Sequence, residues 1–382
     1  MSKISKIQQV KASLNSLFVE REEQINALLL GVLSKEHVFL YGPPGTAKSM
    51  LVESFARAIG LKYFRWLLTK FTTPEEIFGP YSIKALEQGK YERIITNKLP
   101  DSEIAFLDEI FKASSAILNA LLTIMEERLF FNDGNPIITP IISIVGASNE
   151  IPTSDASLQA LYDRFLIKVP VNYISNIDSF QQLWQSPPQA ITSPILTKQD
   201  IEADIQACQQ VTIPQDIVEI LLKIKLDLEQ EGIKLSDRRW IKAPKILKAS
   251  AYMRGDSEVK NEDLLNLYMI AWRTTEEISK VKGIILEIAM PDLAKLVELE
   301  DAYKSIRDAA NEVIKKYKED PDEADLKSTN EQLMDFISQI KPIASELKKL
   351  TPCTQRDQLI NEVQAFAKQL QQMAISMLGI DI

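Results

Sequence analysis

Lys48 and Ser49 close an eight-residue run, Gly42-Pro43-Pro44-Gly45-Thr46-Ala47-Lys48-Ser49, that follows directly on the apolar tetrad Val38-Phe39-Leu40-Tyr41. A triphosphate needs inward-facing backbone N–H groups, small residues where the chain passes close, a cation, and a hydroxyl able to join a magnesium shell. The run holds all four. Gly42 and Gly45 are expected to let the loop turn tightly, and a helix over about Lys48 to Ile59 would point its positive end at the phosphates. Lys48 would reach the β and γ oxygens, while Ser49 would complete the shell of a Mg2+ ion that keeps most of its waters. Pro43, Pro44, Thr46, Ala47 and Met50 complete the expected ATP-binding set. Ala47 stands where the strict pattern has glycine, an exchange expected to cost little if the local φ is helical.

Binding alone is not hydrolysis, which also needs one carboxylate for the metal and one for the attacking water. Ile104-Ala105-Phe106-Leu107-Asp108-Glu109 offers both where a buried parallel strand leaves the core, with Asp108 assigned to magnesium and Glu109 to the water. A third apolar strand, Ile141 to Ser148, ends at Asn149, whose amide can hold the water or the γ-phosphate. Leu158 to Phe165 reads as a helix ending in an acid and a base, Asp163 and Arg164.

The elements that carry these residues belong to a chain of 382 residues, 45% hydrophobic and 25% charged, enough for two or three domains. Cys208 and Cys353 lie far apart with no second ligand near either, which fits neither a disulfide framework nor a zinc site and suits the reducing cytoplasm. The first residues lack an apolar signal core, and no apolar run approaches bilayer length, so neither secretion nor a transmembrane segment is expected. A net charge of −9 without a basic stripe disfavours a nucleic-acid partner. The single histidine, His37, beside Glu36, is assigned no role.

In this order, phosphate loop, hydrophobic-Asp-Glu, strand-Asn and Leu-Tyr-Asp-Arg-Phe, the chain resembles an AAA+ ATPase. It is more narrowly similar to the MoxR family and, within it, the RavA type. The narrower resemblance rests on alanine before the loop lysine, on Leu-Asp-Glu-Ile-Phe-Lys (107–112), on Ile-Leu-Asn-Ala-Leu-Leu-Thr-Ile-Met-Glu-Glu-Arg (117–128), on Tyr-Asp-Arg-Phe (162–165) and on Ser-Asp-Arg-Arg-Trp (236–240). The resemblance implies an ATP-hydrolysing, chaperone-like ring, a hexamer by family expectation, that remodels a protein client through an active site shared between subunits. Arg164 matches the finger presented to the neighbour's ATP. Arg238 matches the sensor folded over the nucleotide in the same subunit, with Arg239 as the fallback, and Asn149 matches the first sensor. Phe18-Val19-Glu20-Arg21 matches the box that lines the adenine, with Val19 the contact. The implied general partner is a protein with a von Willebrand factor A domain. RavA proteins that engage lysine decarboxylase carry a further β-rich domain, for which the short connectors here leave no room. A slow or non-hydrolysing nucleotide-gated scaffold is the alternative from another class, and a nucleic-acid motor is disfavoured by the charge.

The expected fold class is α/β: an AAA+ core with a parallel sheet (1–175), a linker and all-α lid (176–280), and a C-terminal three-helix bundle (281–382). Phe78 to Lys84 and Gly89 to Ile94 read as one inserted hairpin, and Phe131-Asn132-Asp133-Gly134 signals another. Ser186-Pro187-Pro188 marks the linker, followed by four lid helices. In the last hundred residues, apolar positions recur at heptad spacing (296, 299, 303, 306, 310, 313, 317, then 333 to 350 and 359 to 377), and three such helices pack most economically on one another. The expected breaks are Pro321, a capping box at Ser328 with Glu331, and Thr351-Pro352 before Thr354 with Asp357; Pro342 predicts a kink.

Overall fold

Apolar runs without a polar face pair as strands buried on both sides, and they do so here. In the computed structural model, which describes residues 3–185, 191–319 and 326–377, the chain forms two compact units, 1–282 and 283–382. The first unit begins with α1 (Lys3–Leu17), α2 (Glu22–Ser34), β1 (Val38–Tyr41), α3 (Lys48–Ala58), β2 (Tyr63–Leu67), α4 (Pro74–Phe78), α5 (Ile83–Leu86) and β3 (Ile104–Asp108). It continues through α6 (Ser115–Glu127), β4 (Leu129–Asn132), β5 (Asn135–Ile138), β6 (Ser143–Ser148), α7 (Ala156–Arg164) and β7 (Ile167–Pro170). The helical part follows as α8 (Ile177–Gln185), α9 (Lys198–Gln210), α10 (Gln215–Gln230), α11 (Asp237–Arg254), α12 (Asn261–Leu264) and α13 (Tyr268–Ala271), and α14 (Glu277–Ala289) crosses into the second unit. The linker read at Ser186-Pro187-Pro188 lies outside the described residues.

Five parallel strands stand in the order β2-β3-β6-β1-β7. Their register aligns the chemistry: Tyr41 lies opposite Ser148, and Asp108 opposite Ala147, so the residues after β1, β3 and β6 emerge side by side at one edge. Phe39, at the sheet centre, meets Phe111, Tyr162 and Phe165 at ring-centroid distances of 5.4, 5.3 and 5.6 Å. Gly146 is required there by space, because a Cβ would come within 2.5 Å of the Phe165 ring.

The second expected hairpin forms as β4–β5, turning through Asp133 and Gly134 in the left-handed region. The first differs from expectation. Tyr81 and Arg93 make a single antiparallel bridge, while Ile83 and Lys84 lie in the helical turn α5, whose Ser82 cap accepts from the Ala85 N–H. The capping serine draws the chain into a turn that two polar strands would not outcompete. Both inserts form one body: Asn132 exchanges hydrogen bonds with the Arg93 backbone, and the Asp133 carboxylate accepts from Tyr91 N–H.

The second unit contains α15 (Pro291–Glu319), α16 (Leu326–Leu347) and α17 (Thr354–Met377), packed on one another. The buried stripe starts on the expected positions and then drifts. Ile314 is buried rather than Val313, Ile337 more deeply than Phe336, and Ala374 more deeply than Met373. In α15 and α17 the exchange comes after two heptads or more, as an α-helix drifts about 20° per heptad against a strict 3.5 repeat, whereas in α16 Ile337 departs early and Ile340, Ile343 and Leu347 stay on the expected positions. The cap expected at Ser328 is not one, since α16 is under way by Leu326, and α16 runs on through Pro342. Thr354 is the first residue of α17 rather than its cap. Pro321 lies outside the described residues.

Candidate functional site

The loop after β1 and the two strands beside it bring the expected groups together. Ser49 Oγ donates to Asp108 Oδ2 across 3.4 Å, and Asp108 Oδ1 accepts the Glu109 N–H at 3.1 Å. Lys48 is buried, its ammonium held by the carbonyls of Gly42 (2.9 Å) and Pro43 (2.7 Å). Burial pulls the Lys48 amine below its ordinary value, and Asp108 and Glu109 oppose that pull. Glu109 is half-buried and pairs with Lys112 at 3.2 Å. Asn149 is the first, exposed residue beyond β6. A hydroxyl and a carboxylate at hydrogen-bond distance beside a lysine are a fitting donor set for Mg2+, which keeps most of its own waters and needs no closed protein cage. Among the described residues no group of three or more His, Cys, Asp or Glu forms a metal cage.

Two backbone findings correct the expected reading of the loop. Ala47 does not take a helical φ: it sits at φ 61°, ψ 21°, in the left-handed region where an L-residue costs roughly 1–2 kcal/mol. With Gly45 at φ 79° and Glu109 at φ 53°, the site contains three left-handed residues in two neighbouring turns. Such turns aim successive N–H groups at one point, the geometry that cradles an anion. Gly42 is needed for clearance rather than for turning, since a Cβ there would lie 2.1 Å from Val171 O. Thr46 serves the loop internally, its Oγ1 donating to Pro43 O at 2.9 Å.

Beside the loop opens a cleft of about 230 Å³ lined by Leu17, Phe18, Val19, Gly45, Thr46, Ala47 and Met50 on one side. Tyr173, Ile174, Phe180 and Leu183 form the other. This apolar slot next to a phosphate loop has the character of a nucleoside site. Val19 and Met50 are the expected contacts; of the second wall, Tyr173 and Ile174 fall at the end of the expected core (1–175) and Phe180 and Leu183 in the expected linker and lid (176–280), and none of the four carries a local motif. The walls are tied together. The Glu20 carboxylate accepts from the N–H groups of Ser175 and Asn176, both at 2.9 Å, which hold its pKa down at about 2. Arg21, the last residue of the Phe18 to Arg21 box, is buried, lines the cleft and donates to Asn172 O at 2.8 Å.

Arg164 and Arg238 stand elsewhere. Both pair with Glu126 of α6; Arg164 Nε is 3.1 Å from Glu126 Oε2 without hydrogen-bond alignment. The preceding Met125 offers its carbonyl to His37 Nε2 at 3.0 Å, and His37 lies just before β1, its carbonyl accepting from Ile167 N–H. The three residues therefore cluster at the amino-terminal edge of the sheet, while the loop leaves the carboxyl-terminal edge. At about 3.3 Å per residue, β1 alone separates the two by roughly 10 Å. The expectation that Arg238 folds over the nucleotide of its own subunit is thereby corrected: α11 docks on the far edge, Lys242 and Lys245 both meeting the buried Glu36 there, at 2.7 and 2.8 Å. Arg239 is no fallback. Its guanidinium, 3% exposed, donates to the carbonyls of Phe165, Leu166 and Ile270 and rivets the lid to the core, with burial lowering its pKa to about 10.

His37, assigned no role from the sequence, is packed into that edge. Its Nδ1 accepts the Ile144 N–H at 2.9 Å, and its Nε2 lies 3.0 Å from Met125 O and 2.8 Å from Arg128 Nη1. Burial, aided by the nearby Arg128 charge, pushes its pKa well below the ordinary histidine value.

A family profile described as the MoxR domain in the MoxR-vWA-beta-propeller ternary systems matches residues 5–210, and one described as an AAA lid domain matches residues 216–285. An uncharacterized protein of Methanocaldococcus jannaschii is 41% identical over 287 residues, covering 74% of this chain and 76% of that protein. The chaperone MoxR1 of Mycobacterium tuberculosis is 32% identical over 201 residues, 49% of this chain and 52% of that one. Among solved structures, a candidate ATPase from Cytophaga hutchinsonii superposes with a TM-score of 0.61 over 75% of this chain and 94% of its own, at 21% identity, a likeness of fold. No described helix is long and apolar enough to cross a membrane.

Proposed function

The chain belongs to the MoxR family of AAA+ ATPases, and from that premise we propose that it hydrolyses ATP in a homo-oligomeric ring, a hexamer by family expectation, whose active sites are shared between neighbours. The observation that carries this reading is the separation of the arginines from the loop by the length of β1. An arginine that cannot reach its own nucleotide is of use to the next subunit's. The adenine enters the slot between Val19 and Phe180, the phosphates meet the loop's N–H groups, and Lys48 turns from the carbonyls of Gly42 and Pro43 to the β and γ oxygens. Ser49 and Asp108 would hold a magnesium ion, which would supply charge neutralisation on those oxygens. Glu109 orients the attacking water and takes its proton, and Asn149 holds that water or the γ-phosphate from the third strand. Arg164 and Arg238 of the adjoining subunit meet the charge that develops on the transferred phosphoryl group.

Turnover of this kind drives remodelling or maturation of a protein client in the cytoplasm. The matched family profile supports a partner with a von Willebrand factor A domain, and a β-propeller protein as the third member of such a system. A nucleotide-gated scaffold is the competing reading, separated from this one by steady-state phosphate release. Substituting Arg164→Ala is expected to lower turnover roughly 10³-fold or more while nucleotide binding is kept. Mixing that variant with Lys48→Ala subunits, which keep their arginines, should restore part of the activity; no recovery in mixed assemblies would remove the shared site.

A further inference from the structure

We propose that Glu126 is a positioning residue that holds Arg164 of the core and Arg238 of the lid on a single carboxylate, so that the two arginines are delivered to a neighbouring subunit as one unit. The inference rests on the shared-site reading above and assigns a role to a residue that the sequence motif contains without explaining.

Three elements converge on this carboxylate. Glu126 sits in the last turn of α6, Arg164 ends α7, and Arg238 lies in the first turn of α11. Glu126 meets Arg164 at Nε, at 3.1 Å and without hydrogen-bond alignment, and no other residue's carboxylate pairs with Arg164 among the described residues. A carboxylate beside Nε holds the guanidinium by charge, on the side away from the outer fork that can meet phosphate oxygens bidentately. The charges do not cancel locally. One carboxylate pairs directly with both guanidiniums; burial and then the Arg164 charge lower the pKa of Arg238, while Glu126 and, less strongly, Asp163 and Glu36 oppose them. The excess positive charge is what a γ-phosphate would complete.

Stability gives a poor reason for the cluster. The side chains of Arg164, Arg238 and Glu126 are 27%, 24% and 40% exposed, and ion pairs that open to solvent are screened and contribute little. Geometry gives a better one. Without the carboxylate, two like charges side by side would splay, and the finger would lose its lateral constraint. Arg239, next in sequence, secures the backbone of this corner independently through carbonyls, so loss of Glu126 should free the side chains without undocking the lid.

The test is Glu126→Gln in the full chain, which keeps the shape and removes the charge. Expected are a kcat for ATP hydrolysis roughly 10- to 100-fold lower, a KM and nucleotide affinity within about twofold, and an unchanged denaturation midpoint. Partial rescue by Glu126→Asp and recovery of turnover on mixing Glu126→Gln with Lys48→Ala subunits should accompany them. A kcat equal to or above that of the parent, where Arg164→Ala is inactive, overturns the proposal and leaves the shared site standing; an elevated rate would make the carboxylate a restraint on the arginines instead. Parent-like turnover of Arg164→Ala itself brings down the shared-site reading, and the role of Glu126 with it. Should Glu126→Gln fail to fold, Glu126→Asp decides: its kcat must fall at constant KM.

Discussion

The two ends of β1 handle charge in opposite ways. At the carboxyl end, Lys48, Ser49, Asp108 and Glu109 are drawn together by a backbone that takes the left-handed region at Gly45, Ala47 and Glu109, and the polar groups are half-open. At the amino end, Glu36 is buried under two lysines of the lid, and His37 is buried with both ring nitrogens engaged. One end stores conformational cost to keep N–H groups aimed at a ligand; the other satisfies its charges internally and fastens lid to core. The exception at the satisfied end is Glu126 with its two arginines, where the pairing is one short. That imbalance is what the proposed shared site would use.

The contrast can be broken at either end. The largest effect is expected from Glu109→Gln, which should lower phosphate release by roughly 10²- to 10⁴-fold while ATP still binds. Turnover within a few-fold of the parent would remove the water-orienting role. Next comes Gly42→Ala, whose Cβ would press to 2.1 Å from Val171 O. It should destabilise the fold by about 1–3 kcal/mol and weaken nucleotide binding, measured by denaturant unfolding and nucleotide titration. At the opposite end, His37 should affect stability and not chemistry. Its folded pKa is depressed, so the unfolded chain takes up a proton that the folded one refuses as pH falls below about 6.5. Its stability contribution is therefore complete above that pH and declines below it by about 1.4 kcal/mol per pH unit. A His37→Gln variant should lose this part of the acid slope; an unchanged slope would refute the buried neutral imidazole. The smallest effect belongs to Ala47→Gly, which relieves a left-handed alanine and should stabilise the chain by about 1 kcal/mol. No gain would show that the loop is unstrained there.

Most of the catalytic edge was legible in the sequence, because a phosphate loop, an Asp-Glu pair and a strand-terminal asparagine are each local: strand plus next residue. The β4–β5 hairpin was legible for the same reason, its Asp133-Gly134 turn being written in two residues. The second wall of the cleft was not, since Tyr173 and Phe180 reach it only where the chain after β7 is tied, through Ser175 and Asn176, to Glu20 between α1 and α2. The heptad stripes of α15 and α17 were read correctly at their starts and lost register as 3.6 overtook 3.5, while that of α16 held except at Ile337.

The sequence by itself determined which groups can do the chemistry and that they share a strand edge, since each lies within a residue or two of a strand end. Only the tertiary structure decided on which side of the sheet Arg238 works, why Ala47 is costly, and that Glu126 joins two arginines. Those outcomes depend on where a helix some seventy residues away docks and on a backbone angle set by neighbouring turns, and neither is a property of any short run of residue types.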